Sequence, residues 1–177
     1  MLSVTKATPA DIPLIRQLTF AIWPQTYGSI ISQEQIDYML EMMYSPEVLQ
    51  KQIEEEGCTF IIVYDYSEPV GFASFAQLTE PGGHPADNET EPTIWKLNKI
   101  YILPSQQGKG TGKFTINYIV DEIKVKGAKA LQLQVNRENK AKDFYEKLGF
   151  KIIQTADFDI GNGYFMNDYV MELPISG

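Results

Sequence analysis

The chain has 177 residues, of which 44% are hydrophobic and 21% charged, values that fit one globular domain with a hydrophobic core. Its formal charge is −8, from 15 basic and 23 acidic residues, so we expect no nucleic-acid partner, because that role needs clustered Lys and Arg. No run of about 18 apolar residues is present, so we also expect no membrane-spanning segment.

The cysteine and histidine content limits the chemistry further. The single cysteine, Cys58, excludes an intramolecular disulfide, and the single histidine, His84, makes an all-protein zinc site unexpected. The first residues, MLSVTKATPADIP, lack the apolar segment of a secretory signal peptide. We therefore expect a cytoplasmic protein with no metal site, whose acidic surface suits a cationic ligand such as an amine.

The predicted elements begin with a strand and three helices. The alternating run Leu2–Lys6 predicts the strand. Capping residues followed by apolar residues at helical spacing predict helices that start at Thr8, Ser32 and Ser45. The third helix should end near Gly57, since glycine commonly closes a helix.

Strands and helices then alternate. Runs of β-branched and aromatic residues predict six strands, at Thr59–Tyr64, Val70–Leu78, Trp95–Leu103, Ala130–Val135, Phe150–Ala156 and Tyr164–Leu173. Helical spacing closed by a glycine predicts two helices, at Thr111–Lys126 and Lys140–Leu148, and the segment Glu80–Pro92 is expected to be a loop. The order β-ααα-ββ-β-α-β-α-β-β contains one strand–helix–strand crossover, which predicts an α/β sheet with a parallel pair and helices on both faces.

The most informative segment is the glycine-rich loop Gln107–Gly112, which follows a strand and opens a helix. Backbone N–H groups and the helix dipole favour an anion there, most often a phosphate. The loop is not a P-loop, because Phe114 stands where a Ser or Thr must bind magnesium. It is not a dinucleotide fingerprint either, because Lys113 replaces the third glycine. An ordinary glycine turn before a helix is the alternative.

Two segments resemble motifs of the GNAT family of N-acetyltransferases. The loop fits Q/R-x-x-G-x-G/A at Gln107, Gly110 and Gly112. The segment Asn139–Phe150 resembles N-x-x-A…F/L-Y-x-x-x-G-F, with one position fewer than usual between its asparagine and its tyrosine. The resemblance implies a single acetyltransferase domain over residues 1–177. Its fold would be a mixed, mostly antiparallel sheet of about six to seven strands around a central parallel β-α-β unit.

The resemblance also implies acetyl-CoA as the donor and assigns residues that bind it. The pantetheine arm would pair, like an added strand, with the backbone of Ile100, Tyr101 and Ile102. The pyrophosphate would be wrapped by Gly108, Lys109, Gly110, Thr111, Gly112 and Lys113. The two lysines would add positive charge there, and the alternative for each is a solvated side chain that contacts no ligand. Asn139 would contact the pantetheine or order the loop, a task that Asn136 or Glu138 could share.

Tyr145 is the predicted catalytic residue, because in this family the matching tyrosine protonates the departing CoA thiolate. A phenol keeps its proton at neutral pH and can therefore act as the donor. The alternative is a core aromatic side chain. The general base is left open: Asn98 stands where many family members carry a glutamate, so solvent, the N-terminal helices or the Glu80–Pro92 loop must serve.

The expected function is an acetyl-CoA-dependent N-acetyltransferase that moves the acetyl group directly to a primary amine of a small molecule, a polyamine or a peptide N-terminus. The segments Ser32–Glu41 and Glu47–Ile53 resemble the bacterial polyamine-acetyltransferase branch of the family. Candidates to line the acceptor pocket are Trp23, Tyr27, Tyr38, Tyr164 and Phe165. A catalytically silent acyl-CoA-binding sensor is the alternative function, and self-association into a homodimer is left open.

Overall fold

The computed structural model describes residues 1–78 and 93–175, within which it has seven strands and five α-helices. The elements are β1 (Leu2–Lys6), α1 (Ile12–Tyr27), α2 (Gln33–Tyr44), α3 (Pro46–Glu54), β2 (Thr59–Asp65), β3 (Glu68–Gln77), β4 (Thr93–Ile102), α4 (Thr111–Val125), β5 (Ala128–Asn136), α5 (Ala141–Lys147), β6 (Lys151–Gly161) and β7 (Tyr164–Pro174). The predicted order of elements is confirmed. The predicted loop Glu80–Pro92, with His84, lies outside the described residues.

The strands form one mixed sheet with the order β1-β2-β3-β4-β5-β7-β6. Strands β4 and β5 are parallel, whereas β1 with β2, β5 with β7, and β6 with β7 are antiparallel. The parallel pair is joined through α4, as a parallel connection requires. The predicted mixed, mostly antiparallel sheet with one parallel β-α-β unit is therefore confirmed.

The capping residues explain where the first helices begin. The Ser32 hydroxyl accepts from the Gln35 N–H at 3.1 Å, and the Ser45 hydroxyl accepts from the Val48 N–H at 3.3 Å. The predicted start at Thr8 is corrected, because Pro9–Asp11 forms a 3-10 turn and α1 begins only at Ile12. The turn is tightened by a bond from the Asp11 N–H to the Thr8 carbonyl at 2.8 Å.

The chain forms two compact units, each with its own buried apolar residues. The first comprises Met1–Ser74 and Lys99–Thr115, and the second comprises Phe75–Asn98 and Ile116–Gly177. Residues buried in the first include Ile15, Ile22, Trp23, Phe60, Ile62 and Phe72. Those buried in the second include Leu97, Ile119, Leu131, Leu133, Phe150 and Met171.

The four residues Phe60–Val63 of β2 are all buried, which is typical of a strand covered on both faces. Among the residues that the structure describes, no helix combines the length and the apolar character needed to cross a bilayer.

Candidate functional site

The glycine-rich loop before α4 has the backbone of an anion cradle. Gly108 and Gly110 have φ angles of +80° and +77°, in the left-handed region that favours glycine. Both glycines are exposed, and a Cβ built on either would meet no atom within 4 Å. Their conformation therefore requires glycine, and the space beside them is open. A backbone that alternates in this way turns successive N–H groups toward one point.

The loop is held by side chains at its two ends, in the first unit. The buried Thr111 hydroxyl donates to the Gln106 carboxamide oxygen at 2.8 Å, and Gln106 is itself only 6% exposed. The Gly110 carbonyl accepts from the Phe114 N–H at 2.9 Å, so the helical hydrogen bonds begin inside the loop. In a helix that begins in this way, the N–H groups of Thr111, Gly112 and Lys113 have no intrahelical acceptor and are available to a ligand.

Gln106 was not singled out from the sequence, where its neighbour Gln107 fits the motif. It also donates to the Asp65 carboxylate at 3.5 Å, which ties the loop to the end of β2. A cavity of about 420 Å³ adjoins this contact and is lined by Asp65, Tyr66, Glu68, Pro69, Val70, Leu103, Ser105 and Gln106. Its two carboxylates make this cavity unsuited to a phosphate.

The predicted pantetheine-binding residues Ile100, Tyr101 and Ile102 form the end of β4 in the first unit and are half-buried. Behind them lies Gly71 of β3, where an added Cβ would be 2.7 Å from the Tyr101 carbonyl oxygen and 2.5 Å from Ile102 Cδ1. Such contacts are too short for any other residue without a shift of the backbone. Gly71 therefore sets the position of this strand end. This role was missed in the sequence, because the sequence shows only a single glycine within an apolar run.

Lys99, the residue of β4 just before the predicted binding residues, is held by its side chain. Its side chain is only 6% exposed, and its Nζ donates to the Gln52 carboxamide oxygen at 2.9 Å. The ammonium also lies 5.2 Å from the ring centroid of Tyr44 and 5.5 Å from that of Phe60. Ring faces attract a cation, so this arrangement compensates the buried charge.

The parallel ladder of the second unit is shorter than the strands that form it. Strand β4 pairs with β5 from Thr93 to Leu97, and the last pair is Leu97 with Leu133. Strand β5 continues to Asn136, paired with β7 as far as Asp168. Within the described residues, the ladder between β4 and β5 thus ends at Leu97 and Leu133, whereas β5 continues for three more residues.

Aromatic side chains of α1, α2 and β4 pack together in the first unit. The hydroxyls of Tyr27 and Tyr101 lie 3.1 Å apart and share a hydrogen bond, and the Trp23 ring packs against both rings. Burial raises the pKa of the Tyr44 phenol well above its ordinary value, so this hydroxyl stays neutral. Trp23 and Tyr27, two of the predicted pocket residues, thus belong to one polar aromatic cluster, while Tyr38 is half-buried nearby in sequence on α2.

The asparagines that precede α5 order the backbone at its start. The Asn139 carboxamide oxygen accepts from the Ala141 N–H at 2.9 Å, and the Asn136 oxygen accepts from the Glu138 N–H at 2.9 Å. These bonds order the backbone that leads into α5. Both predicted tasks of Asn139, a contact with pantetheine and an ordering of the loop, stay predictions.

Tyr145 lies on α5 in the second unit and is 8% exposed. Its ring contacts Phe144 and Phe150, with centroids 5.4 Å and 5.7 Å away. These contacts fix the ring, so the phenol has a defined position. The remaining pocket candidates, Tyr164 and Phe165, lie at the start of β7 in this unit.

The position expected for a base holds no titratable group, since Asn98 is an exposed carboxamide. No group of three or more His, Cys, Asp or Glu side chains able to hold a metal occurs within residues 1–78 and 93–175.

Comparison with known proteins gives three findings. Residues 29–173 match the family model described as the acetyltransferase (GNAT) domain. A spermidine N(1)-acetyltransferase of Thermoplasma acidophilum is 25% identical over 163 residues, which cover 89% of this chain and 93% of that protein. A crystal structure of the PaiA N-acetyltransferase of T. acidophilum in complex with coenzyme A superposes with a TM-score of 0.77 at 23% identity, covering 98% of this chain and 99% of that one.

A shorter match connects the chain to a [ribosomal protein bS18]-alanine N-acetyltransferase of Haemophilus influenzae, with 38% identity over 69 residues. This match covers 39% of the chain and 44% of that relative, so the chain spans about half the length of the first curated relatives it matches.

Proposed function

This chain belongs to the GNAT acetyltransferase family, and we propose that it transfers an acetyl group from acetyl-CoA directly to a primary amine. The observation that carries the proposal is the exposed loop with two left-handed glycines at the start of α4, which follows β4 after the 3-10 turn Pro104–Gln106. A doubly charged pyrophosphate suits such a loop, because backbone N–H groups and the helix dipole both favour negative charge there.

The donor would lie along β4 and end in the loop. The pyrophosphate would accept hydrogen bonds from the backbone of Gly108, Lys109, Gly110, Thr111, Gly112 and Lys113. The pantetheine would add to β4 like a strand, through the backbone of Ile100, Tyr101 and Ile102. The support for this placement is the end of the β4–β5 ladder at Leu97, together with Gly71 and Lys99, which hold the end of β4 in place.

The transfer would be direct. The amine nitrogen attacks the thioester carbonyl carbon, the C–N bond forms, and the C–S bond breaks with its electron pair leaving on sulfur. Tyr145 gives its proton to that sulfur and regains one from the substituted nitrogen through solvent. Holding the amine and the thioester together supplies much of the rate, and backbone N–H groups that stabilise the oxyanion add to it.

The proposed acceptor is a polyamine or another cationic small amine. The formal charge of −8 favours a cation, and a relative that aligns over most of both chains is a spermidine N(1)-acetyltransferase. A peptide N-terminus is the second candidate, because one relative with 38% identity is a [ribosomal protein bS18]-alanine N-acetyltransferase.

A panel of amines tests the proposal. Release of the CoA thiol is followed with acetyl-CoA and, in turn, spermidine, spermine, a monoamine and a short peptide with a free N-terminus. We expect thiol release above the rate of hydrolysis with at least one amine, matched by acetylated product in mass spectrometry. Thermal stabilisation of the protein by acetyl-CoA, without thiol release for any amine, would instead favour the silent acyl-CoA sensor, which the Asn98 position leaves open. Thermal stabilisation by ATP but not by acetyl-CoA would contradict both the transferase and the sensor.

A further inference from the structure

A buried carboxylate lies on β7, the strand next to β5 of the second unit's parallel pair. Asp168 of β7 is 2% exposed, and the register places it opposite Asn136 of β5 and Ala156 of β6. Asn136 is the last residue of β5, three positions beyond the end of the ladder with β4. Asp168 therefore sits beside the stretch of β5 where the ladder with β4 has ended.

This carboxylate has no hydrogen-bond or ion-pair partner within residues 1–78 and 93–175. The nearby Arg137 is committed elsewhere: its Nη2 donates to the Asp157 carboxylate at 2.7 Å and to the Ala156 carbonyl at 3.0 Å. Its Nε donates at 3.4 Å to the backbone carbonyl of Asp168 rather than to the side chain. A buried carboxylate without a partner is costly, and proteins keep such groups mainly where a ligand supplies the missing contact.

The pleat of the sheet puts Asp168 on the face opposite α5. Residues paired directly across antiparallel strands share a face, so Asp168 shares one with Asn136, and Tyr169 lies on the other. On that other face, Lys142 of α5 lies over the Tyr169 ring at 5.7 Å. The helix that carries the proposed acid, Tyr145, thus covers one face, while Asp168 belongs to the other.

The charges around Asp168 come from each neighbouring strand. Burial raises the pKa of the Asp168 carboxyl to about 6, while Arg137, which follows β5, and Lys96 of β4 act in the opposite sense. Two further acids have partners of their own, because Asp157 of β6 is paired with Arg137, and Glu172 accepts from the Gln132 carboxamide at 2.8 Å. The Asp168 carboxyl is consequently ionised at neutral pH and still able to accept a proton.

We propose that Asp168 binds the ammonium group of the acceptor and removes its first proton. This inference rests on the proposed function and names the base that the sequence left open. The ammonium gives one proton to the carboxylate, which passes it to solvent. The neutral amine then attacks the thioester carbon, and its second proton replaces the one that Tyr145 gives to sulfur. One proton is released for each acetyl group transferred.

The experiment compares the wild-type protein with Asp168→Asn, which keeps the shape of the side chain and removes its charge. The matched control is Asp159→Asn on the same hairpin, an exposed residue whose carboxylate accepts from the Gly161 N–H, as an amide oxygen also can. For all three proteins, kcat/KM for the best amine of the panel is measured from pH 5 to pH 9. Calorimetry of acetyl-CoA binding, and of spermidine binding to the CoA complex, accompanies it.

We expect Asp168→Asn to lower kcat/KM for the amine by about 10²-fold or more, the usual effect of losing a general base. The decline of wild-type activity below about pH 6 should disappear in the variant, acetyl-CoA affinity should stay within about twofold, and Asp159→Asn should match the wild type. Activity within about threefold of wild type, with the same acidic decline, would overturn the role of Asp168.

Failure of the proposed function gives a different result. A wild-type protein that acetylates no amine contradicts the transferase, and spermidine binding to the CoA complex then decides about Asp168. Binding that weakens in Asp168→Asn supports an ammonium site at this residue. Binding that is equal in both proteins, or absent from the wild type, overturns it.

Discussion

At the scale of single residues, the proposed proton transfers depend on a phenol and a carboxylate that are both buried in the second unit. Burial affects the two groups in different ways. The rings of Phe144 and Phe150 hold Tyr145 in one position, so the proposed donor has a defined place. For Asp168, the same loss of solvent raises the pKa to about 6 and turns a weak base into one suited to neutral pH.

Replacing Tyr145 with Phe should lower kcat by about 10²-fold or more while leaving the Kd for acetyl-CoA nearly unchanged. The change removes the hydroxyl that is proposed to protonate the thiolate and preserves the packing of the ring. Steady-state kinetics and calorimetry measure the two effects. The control is Tyr118→Phe on α4, a half-buried tyrosine outside the proposed site. Turnover that is unchanged in Tyr145→Phe would show that the thiolate leaves without this acid.

At the scale of elements, the loop and α4 act together as the proposed phosphate site. Gly108 and Gly110 adopt left-handed conformations, and the Thr111–Gln106 hydrogen bond fixes where the helix begins. The end of β4 has a comparable arrangement, because Gly71 allows close approach on one side and Lys99 is held by Gln52. In both places a short backbone stretch that is predicted to bind the donor is held by neighbours within the first unit.

A pair of glycine substitutions separates ligand binding from backbone strain. Gly110 and Gly127 have φ angles of +77° and +86°, and a Cβ at either would meet no atom within 4 Å. Alanine at each position should therefore cost about 1–2 kcal/mol of folding free energy. Only Gly110→Ala should also weaken acetyl-CoA binding, by about tenfold or more, because charge-assisted hydrogen bonds contribute about 1.5–3 kcal/mol.

Thermal unfolding and calorimetry on the two alanine variants make the comparison. Gly127 closes α4 at the end remote in sequence from the loop, so it reports on strain alone. Equal loss of acetyl-CoA affinity in both variants would mean that the loop acts only through stability. Full affinity in Gly110→Ala would contradict a pyrophosphate at this loop.

At the scale of the whole molecule, the formal charge of −8 is expected to favour the approach of cationic amines. If a polycationic amine is the acceptor, its KM should rise several-fold as KCl is raised from about 0.02 M to about 0.5 M, because salt screens long-range attraction. The KM of an aromatic amine that is uncharged at the assay pH should stay constant over the same range. Steady-state kinetics in both salts test this, and equal salt responses for the two amines would contradict charge-based attraction of the acceptor.

Much of the fold was predictable because the signals for it are local. Ser32 and Ser45 marked helix starts, since a cap bonds to an N–H three residues away. The glycine-rich loop and the order of elements were also predictable from composition and spacing. The start of α1 was wrongly placed at Thr8, because the same capping pattern can close a 3-10 turn before the α-helix proper.

The residues that were missed depend on partners distant in the chain. Gly71 matters because Tyr101 and Ile102 lie against it, and Gln106 matters because it joins Thr111 to Asp65. In the sequence, Asp168 is one acid among several in an alternating strand. In the structure, it is paired with Asn136 and Ala156 and is buried.

Local patterns of caps, glycines and alternating apolar residues were thus sufficient to predict the elements and the loop, because each depends on neighbours a few residues away. The family was predicted from the resemblance of two segments to its motifs. The burial of a charge, the end of a ladder and the closeness of two backbones arise only when distant segments pack. Folding therefore decided which carboxylate could serve as the proposed base. Exclusion of solvent from a side chain depends on the packed structure and cannot be read from the sequence.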